Sequence, residues 1–174
     1  MNWENYWNSV VSSDQGVFEQ VQRTTSGAAL NADQMIAYVQ YLRRVLNISE
    51  ASNSNKRLLD LCCGNGWITN QLSTSYKQCL GLDFSHDLIR YAEDQFGSDT
   101  TSFHKTKVSE LLNYTNDINY DHVVWLFSLQ YFSANDFKSI LSKLNKILSE
   151  DGKILLGDIP VSYTHLTLPT TSRV

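Results

Sequence analysis

The chain has little of several features that mark specialised classes of protein. It holds two prolines and three cysteines in 174 residues, and no apolar run approaches the roughly 20 residues that span a bilayer. The cysteines, Cys62, Cys63 and Cys79, form no CxxC pair and show no Cys/His spacing typical of zinc. We therefore expect reduced thiols in a cytoplasmic protein, with no metal site and no membrane span.

Basic charge is also scarce. Lys and Arg number 14 against 18 Asp and Glu, which gives a formal charge of −4. Such a chain lacks the positive field that steers nucleic acid, so we expect a small-molecule substrate and no nucleic-acid partner. The first residues contain neither the basic nor the apolar region of a secretory signal, and we expect none. No feature of the sequence indicates the oligomeric state.

One stretch, residues 57–67 (RLLDLCCGNGW), organises the rest of the chain. Leu58, Leu59 and Leu61 are apolar without helical spacing, which predicts a buried strand. A turn containing Gly64 and Gly66 follows at once, and residues 68–75 suit a helix. The turn should therefore place free backbone N–H groups at the carboxyl end of a strand, where open α/β sheets bind nucleotide-like ligands.

Strand and helix patterns then alternate, which predicts an α/β fold with a doubly wound, mostly parallel sheet and helices on both faces. Ser85 and Ser133 should cap helices, the second of them stopped by Asp151-Gly152, and Asn31 with Gln34 should cap an earlier helix. The further predicted strands are Gln78–Asp83, Thr101–Lys107, His122–Phe127 and Lys153–Leu156.

The first 55 residues are predicted to form a helical extension that precedes the sheet. Its aromatic residues Trp3, Tyr6 and Trp7 precede a polar stretch from Arg23 to Gly27. Such a segment could be a lid that excludes water or a helix packed on the outside of the domain. The sequence leaves both interpretations open.

Residues 60–66 (DLCCGNG) resemble the cofactor loop of the class I S-adenosylmethionine (SAM) methyltransferases, D-x-G-C-G-x-G, with Cys62 in place of a glycine. Three further segments are similar to motifs of that family: residues 82–88, 120–132 and 144–158. The resemblance spans residues 56–160 and implies a Rossmann-like fold with SAM as cofactor. It also implies methyl transfer to an oxygen or nitrogen of a small-molecule acceptor.

The resemblance also implies the cofactor-binding residues. Asp60 would take the charge of the amino group, directly or through water, and the glycine turn would meet the methionine carboxylate. Asp83 would accept the ribose hydroxyls, and Phe84 would offer a face to adenine. The full set of candidates is Arg23, Asp60, Cys62, Cys63, Gly64, Asn65, Gly66, Asp83, Phe84, Ser85, Lys107, Val108 and Leu126.

Lys107 departs from the family pattern, because many relatives carry an acid there to accept the adenine amino group. A charged lysine cannot accept a hydrogen bond. We expect the backbone at Lys107 and Val108, or else Glu110, to read the adenine.

No catalytic residue can be assigned. Phe127, Gln130 and Tyr131 follow the fourth strand and are candidates for positioning the substrate, with Gln130 where relatives often have histidine. His86, His104 and His122 are interpreted as structural or surface residues, so the sequence displays no general base.

Two alternatives remain. The chain could bind SAM without turnover, or it could be a nicotinamide-dependent reductase, which also uses a glycine turn and a distal acid. Thr69 replaces the third glycine of the nicotinamide pattern G-x-G-x-x-G, which counts against the reductase.

The last segment, residues 161–174 (VSYTHLTLPTTSRV), resembles translated sequencing-adapter read-through. We expect this tail to be non-native and the native chain to be cut near Pro160. The family's sheets have seven strands, so the core at 56–160 would be incomplete after its fifth strand. The alternative is a genuine threonine-rich strand.

Overall fold

The computed structural model describes residues 6–7, 16–21, 23–25, 28–48, 55–115 and 118–157. Its strands are β1 (Thr24–Thr25), β2 (Ala28–Ala29), β3 (Arg57–Leu61), β4 (Gln78–Asp83), β5 (Thr101–Lys105), β6 (Tyr120–Leu126) and β7 (Leu148–Gly157). Its helices are α1 (Ala32–Val45), α2 (Trp67–Ser73), α3 (His86–Phe96), α4 (Leu112–Thr115) and α5 (Ala134–Ile147). Short 3₁₀ turns occupy Val108–Glu110 and Leu129–Tyr131.

The central sheet has five parallel strands in the order β5-β4-β3-β6-β7. The chain builds outward from β3 through β4 to β5 and then returns to place β6 on the other side of β3. This reversal opens a crevice at the carboxyl ends of β3 and β6. The predicted α/β fold with a parallel sheet is confirmed.

The two central strands are buried because helices cover both faces of the sheet. Leu59 and Leu61 of β3 pack in the core beneath α5, whereas Leu58 packs in the core beneath α1 and α2. Successive side chains of a strand point to opposite faces of the sheet. A continuous apolar run therefore suits a strand that is covered by helices on both faces.

The predicted helix starts are confirmed. Asn31 with Gln34, and Ser133 with Asp136, form reciprocal capping boxes, and the Ser85 hydroxyl accepts from the N–H of Leu88. These caps satisfy N–H groups that a helix leaves unpaired in its first turn.

Several boundaries differ from prediction, and three of them have a clear physical reason. Helix α5 ends at Ile147, because Leu148 already pairs with Tyr120 as the first residue of β7, and a register shift follows between Tyr120 and His122. Strand β6 ends at Leu126, because Phe127 has a left-handed φ of 59°. Strand β5 ends at Lys105, two residues before the predicted end, and the 3₁₀ turn begins at Val108.

The hairpin of β1 and β2 is antiparallel, separate from the central sheet, and was not predicted. Within the described ranges, no helix has the length and hydropathy needed to cross a bilayer. The predictions about the tail at 161–174, the cut near Pro160 and the role of Trp3 concern residues outside the described part of the chain.

Candidate functional site

The loop after β3 reverses sharply through left-handed backbone at three positions. Gly64 and Gly66 have φ values of 60° and 74°, and Cys62 has 58° despite its side chain. A Cβ on Gly66 would lie 2.6 Å from Phe103 and 2.8 Å from Ala92, so this glycine is required by packing as well as by conformation. Cys62 has the left-handed backbone conformation that favours glycine, and its Cβ makes this conformation strained.

Asp83, at the end of β4, accepts hydrogen bonds from the backbone of this loop and of the following helix start. Its Oδ2 accepts the N–H of Gly64 at 3.0 Å, and its Oδ1 accepts the N–H of Ser85 at 2.9 Å. Burial raises the pKa of Asp83, and these backbone hydrogen bonds oppose the rise. The N–H of Cys63 also has a partner, the carbonyl of Leu82. The prediction of free N–H groups in the turn is therefore wrong at both Cys63 and Gly64.

The N-terminal segment 16–21 packs on the outer side of the same loop. The Asn65 amide donates to the Val17 carbonyl at 2.6 Å and to Gln20 Oε1 at 3.1 Å. The Phe18 ring meets the Trp67 ring edge to face, with 5.0 Å between centroids. Asn65 thus joins the segment to the loop, a contact that its motif position does not predict.

Arg23 follows this segment and lies over the crevice. Its guanidinium carbon is 3.4 Å from the centroid of the Phe127 ring, a cation–π contact. Its charge also acts on the buried carboxyl groups of Asp60 and Asp83, lowering the pKa of each against the larger effect of burial. Arg23 therefore connects the N-terminal segment to the ends of β3, β4 and β6.

Two adjoining cavities occupy the crevice and share Phe84, Tyr131 and Phe132. The first has a volume of about 60 Å³, and its polar or backbone lining comprises Arg23, Cys62, Gly64, Asp83 and Ser128. Its remaining lining is apolar or aromatic and includes Trp7, Val21, Leu88, Leu126 and Phe127. The second, of about 320 Å³, is lined also by Lys107, Val108, Ser109, Asp136, Ser139 and Ile140. Together they form a narrow polar compartment beside a wider one.

The structure brings ten of the predicted site residues to these cavities: Arg23, Cys62, Gly64, Asp83, Phe84, Lys107, Val108, Leu126, Phe127 and Tyr131. Six others do not line them: Asp60, Cys63, Asn65, Gly66, Ser85 and Gln130. Some of these six residues have structural contacts instead. Cys63 packs against Phe103, and Ser85 caps α3. The Gln130 amide donates to the Phe127 carbonyl at 3.0 Å.

Asp60 is buried on β3 with 3% of its surface exposed. The hydroxyl of Thr69, on α2, donates to its Oδ2 at 2.6 Å. Burial raises the pKa of Asp60 to about 7; the Thr69 hydrogen bond and the charge of Arg23 lower it, and the charge of Asp83 raises it. This carboxyl therefore titrates near neutral pH behind the cavity wall.

Burial also raises the pKa of the Cys62 thiol, which keeps it protonated and a poor nucleophile. The histidines that the structure describes lie elsewhere. His86 is exposed at the start of α3 next to Asp87, His104 stacks on Tyr114, and His122 lies at the opposite end of the sheet. Within the described ranges, no group of three or more His, Cys, Asp or Glu could hold a metal ion.

Sequence reasoning missed several lining residues. Ser128 accepts a hydrogen bond from the Trp125 indole at 2.9 Å and follows the left-handed Phe127. Asp136 belongs to the capping box of α5 and also lines the second cavity, which Glu110 does not line. The capping-box pattern in the sequence could have identified Asp136 as a lining residue. A helix that begins beside a crevice places the residues of its first turn along that crevice.

Comparison with known proteins points to one family. A family model described as "Methyltransferase domain" matches residues 58–152. The malonyl-[acyl-carrier protein] O-methyltransferase of Bacillus anthracis is 28% identical over 144 residues, covering 79% of this chain and 51% of that protein. The juvenile hormone acid O-methyltransferase of Bombyx mori is 26% identical over 124 residues, covering 67% and 44%. The chain thus spans about half the length of these relatives.

Among solved structures, DhpI in complex with SAH, the demethylated product of SAM, matches with a TM-score of 0.61. Its sequence identity is 19%, and the match covers 87% of this chain and 65% of DhpI. At that identity the likeness concerns the fold.

Proposed function

Because the chain belongs to the class I SAM-dependent methyltransferases, we propose that it binds SAM in the two adjoining cavities and transfers its methyl group to a small-molecule acceptor. The observation that carries this proposal is that Arg23 and Asp83 both line the narrow cavity. The wider cavity adjoins it and shares Phe84 with it. SAM has a small charged end and a large flat end, and the two compartments differ in the same way.

The narrow cavity suits the methionine end. The Arg23 guanidinium is a donor for a carboxylate. Asp83 uses each carboxylate oxygen once for a backbone N–H, and a carboxylate oxygen can accept more than one hydrogen bond. Asp83 therefore keeps capacity for the ribose hydroxyls.

The wider cavity suits adenine. Phe84 lines both cavities and offers an aromatic face, and Lys107 with Val108 lies beside it. Asp136 lines this cavity as well and is a carboxylate that could accept the adenine amino group in place of the acid that Lys107 replaces.

When bound, SAM supplies a methyl group activated on a sulfonium, whose departure leaves a neutral thioether. The protein must then exclude water and align the acceptor, and alignment alone contributes up to about 7 to 11 kcal/mol in favourable systems. The apolar lining excludes water, and we propose that residues 16–21 and 23–25 cover the crevice and assist in this exclusion. Tyr131 and Phe127 line the first cavity, which supports the proposal that they orient an acceptor.

The acceptor atom is proposed to be an oxygen or nitrogen that carries a free lone pair at neutral pH. Among the described residues that line the cavities, none is a histidine, and the lining carboxylates already accept hydrogen bonds. A carboxylate or a neutral amine needs no base, whereas an alcohol does. The same observation favours a second candidate function, a SAM-binding protein without turnover.

Titration of the full chain with SAM, SAH and NADH tests the proposal by calorimetry. We expect binding of SAM and SAH, and a loss of about tenfold or more in SAH affinity in Arg23→Ala, because a charged hydrogen bond contributes about 1.5 to 3 kcal/mol. Arg90→Ala is the matched control, since Arg90 is exposed on α3. Binding of NADH without SAM or SAH would overturn the proposal.

A panel of carboxylic acids, amines and alcohols, with methyl-labelled SAM, then separates the two candidates. Label transfer to one class identifies the acceptor chemistry. SAM binding with no transfer to any member supports the protein without turnover.

A further inference from the structure

Asn65 makes contacts that its motif position does not predict. Its amide nitrogen carries two hydrogens, and it donates to the Val17 carbonyl at 2.6 Å and to Gln20 Oε1 at 3.1 Å. Its side-chain oxygen accepts the N–H of Trp67, the first residue of α2, at 3.4 Å. Asn65 is 2% exposed and lines neither cavity of the crevice. Its side chain therefore binds the protein itself, and the direct cofactor contact that the motif implies does not fit these contacts.

Gln20 accepts one of these hydrogen bonds and belongs to the N-terminal segment 16–21, much of which forms a turn. Like Asn65, Gln20 is 2% exposed. The rings of Phe18 and Trp67 pack together beside this pair, but apolar contacts have little directional preference. A buried amide that loses its partner, in contrast, is penalised by its full desolvation. The hydrogen bond between Asn65 and Gln20 therefore specifies one position of the segment on the glycine loop.

Arg23 is joined to this segment through the main chain. Its N–H donates to the Phe18 carbonyl at 2.9 Å, and its own carbonyl accepts the N–H of Leu30 at 2.7 Å. The guanidinium carbon then lies 3.4 Å from the centroid of the Phe127 ring, at the first cavity. The Phe18 carbonyl follows, by one residue, the carbonyl that Asn65 binds. Hydrogen bonds and one intervening residue therefore connect Asn65 to the backbone of Arg23.

We propose that Asn65 and Gln20 are positioning residues that dock the segment 16–21 on the glycine loop and so place Arg23 over the first cavity. The inference rests on the proposed SAM site, because Arg23 is assigned there to the methionine carboxylate. Asn65 then affects cofactor affinity through Arg23 and touches no atom of the cofactor. The loop and the N-terminal segment bind the ligand as one unit.

A double-mutant cycle in SAH affinity tests this connection. Calorimetry compares the unsubstituted full chain with Asn65→Ala, Arg23→Ala and the variant that carries both substitutions. Asn65→Ala should lower SAH affinity by about fivefold, because Arg23 is no longer held in its binding position before the ligand arrives. If Asn65 acts through Arg23, the double variant should bind SAH about as weakly as Arg23→Ala alone. Losses of affinity that multiply would give Asn65 an independent role and overturn the inference.

Gln20→Met tests the same contact from the side of the segment. Methionine keeps the length of the side chain and removes the acceptor, and it leaves every residue of the glycine loop unchanged. It should lower SAH affinity by about threefold, whereas Asn113→Ala, which removes an exposed amide from α4, should stay within about twofold. If Arg23→Ala weakens binding but Gln20→Met and Asn65→Ala do not, the hydrogen bond to Leu30 suffices to place Arg23, and the inference is wrong.

A measurement without ligand separates this inference from the proposed function. The Arg23 guanidinium lies over the face of Phe127, so the ring current should shift the ¹H NMR signals of the Arg23 side chain upfield, and Phe127→Leu identifies that shift by removing it. The shift should shrink in Asn65→Ala and in Gln20→Met and persist in Asn113→Ala. A shift that persists in all three variants would overturn the inference, whether or not SAH binds. If Arg23→Ala binds SAH normally, the assignment of Arg23 to the cofactor fails, and the NMR signal alone decides the inference.

Discussion

At the amino ends of the strands, Tyr76 and His122 share a buried hydrogen bond of 2.6 Å, and burial lowers the pKa of His122 to about 4. At the carboxyl ends, Asp60 and Asp83 are buried with raised pKa values beside Arg23. The first pair is neutral and mutually satisfied at pH 7. The second group contains charge that titrates near neutrality.

Among the described residues, three other than glycine have a left-handed φ. Asn47, with 53°, follows the end of α1, where asparagine adopts this conformation at low cost. Cys62 and Phe127 follow β3 and β6 with left-handed φ values of 58° and 59°. At the other end, Asp121 accepts the N–H of Arg57 at 2.8 Å and the hydroxyl of Ser149 at 3.2 Å. Unfavourable conformations of this kind are kept where a site needs them. The comparison indicates that the amino end contributes stability and the carboxyl end gives up some stability for binding.

The largest expected effect is that of Asp83→Ala. The substitution leaves the N–H groups of Gly64 and Ser85 without their acceptor in a buried place, which should cost about 3 kcal/mol of stability. It should also lower SAH affinity by about 100-fold or more, because the loop and the ribose contact are lost together. Urea unfolding and calorimetry measure the two effects. Unchanged affinity in a folded variant would contradict the assignment of Asp83 to the site.

Asp60→Asn should have the next largest effect, and in the opposite direction. Between its ordinary pKa of 3.8 and the folded value of about 7, Asp60 is ionised in the unfolded chain and protonated in the folded one. Raising the pH from about 4 to about 7 therefore lowers the free energy of unfolding of the unsubstituted chain, because the buried carboxyl must ionise. The Asn variant has no such group and does not lose this stability. We expect Asp60→Asn to be more stable by on the order of 2 kcal/mol at pH 8 and nearly equal at pH 4. Equal stability at both pH values would show that burial does not penalise the charge.

Tyr76→Phe tests the amino end. It removes the partner of a buried imidazole nitrogen and should cost about 1.5 kcal/mol. It should leave SAH affinity within about twofold, because the pair lies at the far end of the sheet. Tyr41→Phe on the exposed face of α1 is the matched control. A large loss of affinity would break the division between the two ends.

Cys62→Gly is expected to have the smallest effect. Glycine removes the left-handed strain but gains entropy in the unfolded chain, so the net gain should be about 0.5 kcal/mol. Thermal unfolding of Cys62→Gly beside Cys62→Ala measures it, since alanine keeps the strain without the thiol. A gain in both variants would assign the effect to the sulfur.

Much of the fold follows from local chemistry. Strand β4 and the caps at Asn31, Ser85 and Ser133 lie where the sequence predicts them, because each depends on residues close together in the chain. The end of α5 does not, because the pairing of Leu148 with Tyr120 is a tertiary contact that overrides a helical pattern.

The candidate site is predictable to a similar depth. The motif locates the crevice and its main lining, including Asp83 and Phe84. It does not reveal that Asn65 binds Val17 and Gln20, or that Thr69 binds Asp60, because those partners are set by packing between distant segments. A motif identifies which positions matter, and the structure shows which of them face a ligand.

The contact between Gly64 and Val21 has an evolutionary consequence. A Cβ on Gly64 would lie 2.9 Å from Val21 Cγ1, so no larger residue fits at 64 while valine stands at 21. Across homologues that keep this arrangement, the two positions should covary in size, with a bulkier residue at one only where the other is small. An alignment column at 21 is therefore informative about the cofactor loop, although its own residue belongs to no recognised motif.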